Sequence, residues 1–257
     1  MRTDAEGLVI MEKCVGDSDR LITILTRQKG VLRAFVQRPG RARSGRLSAT
    51  RLFSYSRFTI FEGRDKYIID EAQPIEVFFD LRKNIERLSL AQYFCELAIA
   101  LAPQDSPAEE YLRLVLNALY FLSRGTRLNE IVKAVVEMRM LALSGYQPDL
   151  VGCSKCGCFE SDTMYFLPVS GRIVCAECGA PKDEPRVRLG RGAMAGLRHT
   201  IYADLNKAFS FTLSPQGSKE LEQAAEAYVL STLERGFATL DFYHVTAGST
   251  GWQGTGL

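Results

Sequence analysis

Leu32, Ala34 and Val36 alternate with Arg33, Phe35 and Gln37. A period of two sends one row of side chains into a core and the other into solvent. Short runs of this kind, bounded by turn residues, recur through the first 80 positions. They predict strands at Gly7–Lys13, Leu21–Thr26, Val31–Gln37, Leu52–Phe61 and Tyr67–Phe79, the last broken at Pro74. Gly16-Asp17-Ser18-Asp19, Gln28-Lys29-Gly30, Pro39-Gly40 and Glu62-Gly63-Arg64-Asp65 mark the turns. Five short strands in so small a span suit a closed barrel of the OB type. Arg38–Arg51, basic and rich in Gly and Ser, reads as a flexible loop between the third and fourth strands.

The period then changes. Leu81, Ile85 and Leu88 recur at helical spacing, and the stripe runs through Cys95 and Ala98 to a stop at Pro103. Ser106-Pro107-Ala108-Glu109 predicts a helix start: a capping serine, a first-turn proline and a glutamate at the third position. That helix carries Leu112, Val115, Leu116 and Leu119, and ends near Gly125. A third runs from Asn129 to Gly145, Leu189–Leu205 forms a short one, and Ser214-Pro215 opens a long one ending at Gly236. The expected class is α+β and multidomain. An OB-fold barrel spans 1–80, a helical bundle 81–150, a cysteine module 151–185, the bundle's continuation 186–247, and a disordered tail 248–257. The helices on either side of the cysteine module are expected to pack as one bundle.

Composition narrows the class without naming an activity. The chain has 257 residues, 46% hydrophobic and 24% charged, ordinary for a globular protein. No apolar run approaches the roughly 20 residues that cross a bilayer. The polar Met1–Glu6 segment is unlike a signal peptide. A cytoplasmic protein is expected. In such a compartment seven cysteines favour metal binding over disulfides.

Four of the seven form Cys153-Ser-Lys-Cys156-Gly157 and Cys175-Ala-Glu-Cys178-Gly179. Each C-x-x-C turn can aim two thiolates at one ion, and the glycine can turn the chain back over the sulfurs. Two such turns predict a closed Cys₄ zinc site holding one structural Zn²⁺, with no position left for water or substrate. Disulfides, or a redox C-x-x-C, are the other readings; the redox motif would sit beside a βαβ unit, and that pattern is missing. Cys158 is a spare that could replace a ligand, while Cys14 and Cys95 lie in apolar patterns and are expected to be buried.

Charge is uneven. Between Arg20 and Phe61 there is no Asp or Glu, against Arg20, Arg27, Lys29, Arg33, Arg38, Arg41, Arg43, Arg46, Arg51 and Arg57. Arginine's planar fork suits phosphate, so these ten residues and Phe35 are the candidate DNA-binding set. Phe53, Tyr55 and Phe58 are weaker stacking candidates, expected mainly in the core. The bland alternative is a solvated loop. Asp17 and Asp19 read as turn residues rather than a metal pair. His199 and His244 lack a neighbouring nucleophile motif. The sequence has no P-loop, G-x-S-x-G, G-x-G-x-x-G or H-E-x-x-H. A non-enzymatic protein is expected.

These segments resemble those of the RecO family of bacterial DNA-repair and recombination mediators. The likeness lies in Gly7-Leu8-Val9-Ile10, Gly16–Thr26, Lys29–Ala34, the basic Arg41-Ala42-Arg43-Ser44 step, the cysteine pairs, and Thr232–Tyr243 taken in order. Arg38-Pro39-Gly40 departs from the lysine-glycine step of many relatives. The resemblance implies an OB-fold, a helical bundle and a zinc finger. It implies binding of single- and double-stranded DNA and annealing of complementary strands. It also implies partnership with RecR and with the C-terminal tail of single-strand-binding protein, and indirect loading of the RecA recombinase. The alternatives are an OB-fold RNA-binding protein of the translation apparatus, or a nucleic-acid enzyme without a recognisable motif.

Overall fold

A computed structural model describes residues 2–15, 19–36, 44–63 and 66–248, with the backbone only for 44–46. It divides into two compact units, Met1–Arg124 and Gly125–Leu257.

The first unit opens with β1 (Arg2–Val15), β2 (Asp19–Thr26), β3 (Gly30–Val36), α1 (Ser44–Ala49), β4 (Ser54–Glu62) and β5 (Tyr67–Val77). The sheet order β1-β2-β3-β5-β4 closes on itself, because β4 pairs with β1 from Leu8↔Tyr55 to Arg2↔Phe61. Ile22, Ile24, Leu32, Ala34, Phe58, Ile60 and Ile69 fill the interior. All five expected strands are present, and β1 is longer than its apolar pattern indicated. Pro74 does not end β5. Register shifts between Tyr55↔Glu76 and Ser56↔Pro74, leaving Ile75 in a bulge, where a residue without an N–H is tolerated.

The expected flexible loop 38–51 is in part a helix. Residues 37–43 lie outside the described set, but Ser44–Ala49 forms α1. Its exit is pinned by side chains of β4: the Ser54 and Ser56 hydroxyls donate to the carbonyls of Ser48 and Ala49.

A 3-10 turn at Phe79–Lys83 leads into α2 (Ile85–Leu101) and α3 (Glu109–Arg124). Both helices belong to the first unit and pack on each other and on β1, whereas the helices that follow the cysteines belong to the second unit. The reason is that α2 buries Leu90, Tyr93, Phe94, Leu97 and Ala98 around its circumference, so it needs cover on several sides. α3 starts at Glu109 rather than at a Ser106 cap. The β2–β3 turn takes over the role: Ala108 N donates to Arg27 O, Asp105 N to Lys29 O, and Val31 N to Pro103 O. Gly30 sits in this latch at φ +61°, and a Cβ there would lie 1.9 Å from the Pro103 carbonyl oxygen. No other residue fits.

The second unit contains α4 (Asn129–Leu143), β6 (Thr163–Leu167), β7 (Arg172–Cys175), β8 (Val187–Gly190), α5 (Arg191–Tyr202), α6 (Pro215–Leu233) and α7 (Ala238–Ala247). Gly145 follows α4 at φ +91°, and Ser214 caps α6 by accepting from Gly217 N. The cysteine module is built on the sheet β7-β6-β8. Val187–Gly190, expected to flank or open a helix, pairs with β6 instead. α7 has no counterpart in the sequence reading.

α4 and α6 enclose an ionic core. Lys133, fully buried, is 3.0 Å from Glu137, 2.8 Å from Glu226 and 3.8 Å from Glu222. Burial disfavours its charge, but Glu137, Glu226 and Glu222 outweigh burial and hold the ammonium protonated. Burial raises the Glu222 pKa. His244 of α7 closes the cluster, 3.0 Å from Glu226.

Candidate metal centre and nucleic-acid surface

The two knuckles fold alike. Gly157 N donates to Cys153 O and Gly179 N to Cys175 O, with both glycines at positive φ. Lys155 Nζ bridges the knuckles by donating to the carbonyls of Cys178 and Gly179. The ligand atoms of Cys153, Cys156, Cys175 and Cys178 all lie within 4.8 Å of one another. A tetrahedral ion with bonds of about 2.3 Å separates its sulfurs by about 3.8 Å. The Cys156 and Cys175 sulfurs are 3.7 Å apart, far beyond the roughly 2.05 Å of a disulfide. Burial opposes ionisation of Cys153, but the N–H groups of Cys175, Cys156 and Lys155 outweigh it and pull the thiol down to about 6. Cys178 is pushed up to about 12, first by its contact with Cys156 and then by Cys175. Four sulfurs this close ionise together only around a cation. The donor set fits a soft divalent metal, and these four cysteines can hold it.

Cys158 stands apart, its thiol donating to Glu160 O at 2.8 Å. Cys95 is buried, as its pattern indicated, and burial raises its pKa. Cys14 is exposed, contrary to expectation: β1 runs past the filled barrel, and Lys13–Val15 lose cover. His199 Nε2 donates to Lys207 O and packs edge-on to Phe211. Asp17 lies outside the described residues, and Asp19 begins β2.

The acid-free run acquires acids from elsewhere. Glu12 of β1 takes Arg20 at 3.2 Å and Arg51 at 2.6 Å. Glu6 takes Arg57 at 2.9 Å and Arg27 at 3.9 Å, and Glu109 of α3 reaches Arg27 at 4.0 Å. Glu62 takes Lys29 at 3.2 Å. The Arg57 hydrogen bond leads in lowering the Glu6 pKa. At Glu12, burial raises it, but Arg51, the Leu52 N–H and Arg20 bring it below the ordinary value. Half of the ten cations are thus held by carboxylates. Arg38, Arg41 and Arg43 lie outside the described residues, and α1 places the Arg46 backbone.

Arg33 and Phe35 do share the outward face of β3. Register extends that face sideways. Phe35 faces Leu21, which faces Lys13; Arg33 faces Thr23, which faces Met11. Met11 and Lys13 are exposed, and Lys66 Nζ lies 5.9 Å from the Phe35 ring centroid. Lys66 thus lies against a half-exposed aromatic beside Arg33, and Lys13 shares the face beyond Leu21, although both lysines sit outside the acid-free run. Strand pairing, not sequence proximity, recruits them. The other aromatics do not reach this face: Phe53 and Phe58 are buried, and Tyr55 donates its hydroxyl to Glu6.

Two family models cover almost all of the chain. Recombination protein O N terminal matches residues 1–78, and Recombination protein O C terminal matches 82–241. This chain belongs to the RecO family. Among RecO relatives, the DNA repair protein RecO of Acetivibrio thermocellus is 33% identical across 92% of this chain and 94% of its own length. That of Symbiobacterium thermophilum is 29% identical across 93% and 95%. The junction between the two RecO segments falls just past β5, whereas the compact first unit continues through α3.

Proposed function

We propose that this RecO-family DNA-repair protein works without catalysis, by binding DNA electrostatically on its N-terminal barrel and lowering the repulsion between strands. The observation that carries the reading is the outward face of β1–β3, where Arg33 and Phe35 share β3, Lys66 lies over the Phe35 ring, and Lys13 follows two strands away across Leu21. The strand order 1-2-3-5-4 fits an OB-fold, and barrels of that type hold single strands by a basic groove with aromatic stacking. Phosphate contacts release counterions and read no sequence, which suits annealing of any complementary pair. Arg38, Arg41, Arg43 and Arg46, in the sequence between β3 and β4, are the further cations in this reading. Arg20, Arg27, Lys29, Arg51 and Arg57 contribute only by exchanging a carboxylate for a phosphate.

Zinc at Cys153, Cys156, Cys175 and Cys178 supplies a covalent-strength cross-link to the second unit. Partnership with RecR and with the tail of single-strand-binding protein, and assistance to recombinase loading on cytoplasmic DNA, complete the reading. No helix among the described residues is long and apolar enough to cross a membrane.

The test is a salt titration of oligonucleotide binding by the full chain. Replacing Arg38, Arg41, Arg43 and Arg46 by alanine should weaken binding and flatten log Kd against log salt by about 0.7 per lost contact on single strands. The Arg33→Ala, Lys66→Ala pair should act alike. An unchanged slope in both variants rules the surface out. Equal affinity for DNA and RNA, with no annealing, would favour an RNA-binding role.

A further inference from the structure

Two more aromatic rings of the first unit are exposed with a guanidinium over them, and neither is on the barrel. Phe79, in the turn after β5, is 57% exposed, with Arg82 Cζ 5.5 Å from its ring centroid. Tyr120 on α3 is 46% exposed, with Arg124 Cζ at 5.7 Å. α3 packs against that turn. Asp80 is held below the usual carboxylate range by the Lys83 ammonium at 2.6 Å and, more weakly, by Arg124, so the two pairs are neighbours.

A helical i, i+4 contact and a favourable place at the helix C-terminus account for Arg124 over Tyr120. They do not account for a second ring–guanidinium pair on the adjoining turn. Nor do they account for Lys83 and Arg124 both acting on Asp80, with Arg82 in the same turn. Two rings left in water beside a surplus of cations match a polyanion that carries flat rings of its own. An acidic peptide answers the charge but leaves both rings without stacking partners.

We propose that this face is a second contact for single-stranded DNA, with bases stacked on Phe79 and Tyr120 and phosphates held by Arg82, Lys83 and Arg124. It rests on the reading that the first unit binds single strands, and it lengthens the strand the unit can hold.

The experiment is photocrosslinking of the full chain to an iodouracil-substituted oligonucleotide, with the modified peptides mapped. Adducts at Phe79 or Tyr120 as well as on the barrel face are expected. Adducts on the barrel alone overturn this proposal and leave the barrel reading standing; adducts at Phe79 and Tyr120 alone do the reverse. With no adducts at either place both fall. An acidic peptide that shifts the Tyr120 resonances of a protein giving no adducts there overturns the proposal in favour of a protein partner. In titrations, Phe79→Ala with Tyr120→Ala should weaken binding of a long oligonucleotide by at least about fivefold per ring. It should spare one of about four nucleotides that the barrel alone accommodates. Equal weakening at both lengths, or none, would overturn the second contact. An unchanged Tm shows that the variant folds.

Discussion

The cysteine module and the basic run were both prominent in the sequence, and folding treated them differently. The module's four sulfurs converge as their spacing demands, because each C-x-x-C-G turn fixes its own geometry through bonds within five residues. The basic run is partly neutralised, because folding brings Glu6 and Glu12 alongside arginines 51 and 39 positions away. Local spacing survives folding; local charge does not, since a sheet assigns each residue neighbours that the linear order does not name.

The largest break in this comparison should come from removing a sulfur. If the four sulfurs hold the proposed metal, Cys175→Ala or chelation should remove folding energy on the order of 10 kcal/mol and unfold the second unit. Calorimetry should then show that transition lost while that of the first unit stays in place. Next is Lys133→Met, which strands buried glutamates and should cost about 3–5 kcal/mol, read as a lowered urea midpoint of the second unit. Gly30→Ala forces a Cβ onto the Pro103 carbonyl at positive φ. It should cost about 1–3 kcal/mol in the first unit only. The smallest effect is electrostatic. Glu6 and Glu12 have depressed pKa values, so their contribution is complete above the ordinary carboxylate value of 4.5 and is lost as pH falls through the lower folded value. Glu6→Gln should cost about 0.2–1 kcal/mol at neutral pH, shrink with added salt, and vanish in acid. An equal loss at pH 3 would mean that the Arg57 pair is not its source.

The chain displayed its elements where a signal was local. Ser214-Pro215 and Gly145 marked helix ends, and the Leu32–Val36 alternation set the faces of β3. It hid them where structure depends on partners. α7 buries only Leu240 and Tyr243 in the core, too few for a stripe. β8 is four residues that become a strand only against β6. α1 lies among arginines and glycines and is stabilised by the serines of β4. The four converging cysteines could therefore be named from sequence, whereas Lys13 and Lys66 joined the face of Phe35 only in the folded barrel.

The latch at Gly30 has a consequence for synthesis. The barrel's last strand ends at Val77, but the carbonyl that receives Val31 N belongs to Pro103. At roughly 5–20 residues per second, a nascent barrel waits about 1–5 s for the segment that ties its β2–β3 hairpin. The ribosome thus releases a barrel with one hairpin unfastened, and α3, capped by that same hairpin at Arg27, cannot settle until the fastening is made. Maturation of the first unit is ordered in time: barrel strands, then the hairpin latch, then α3.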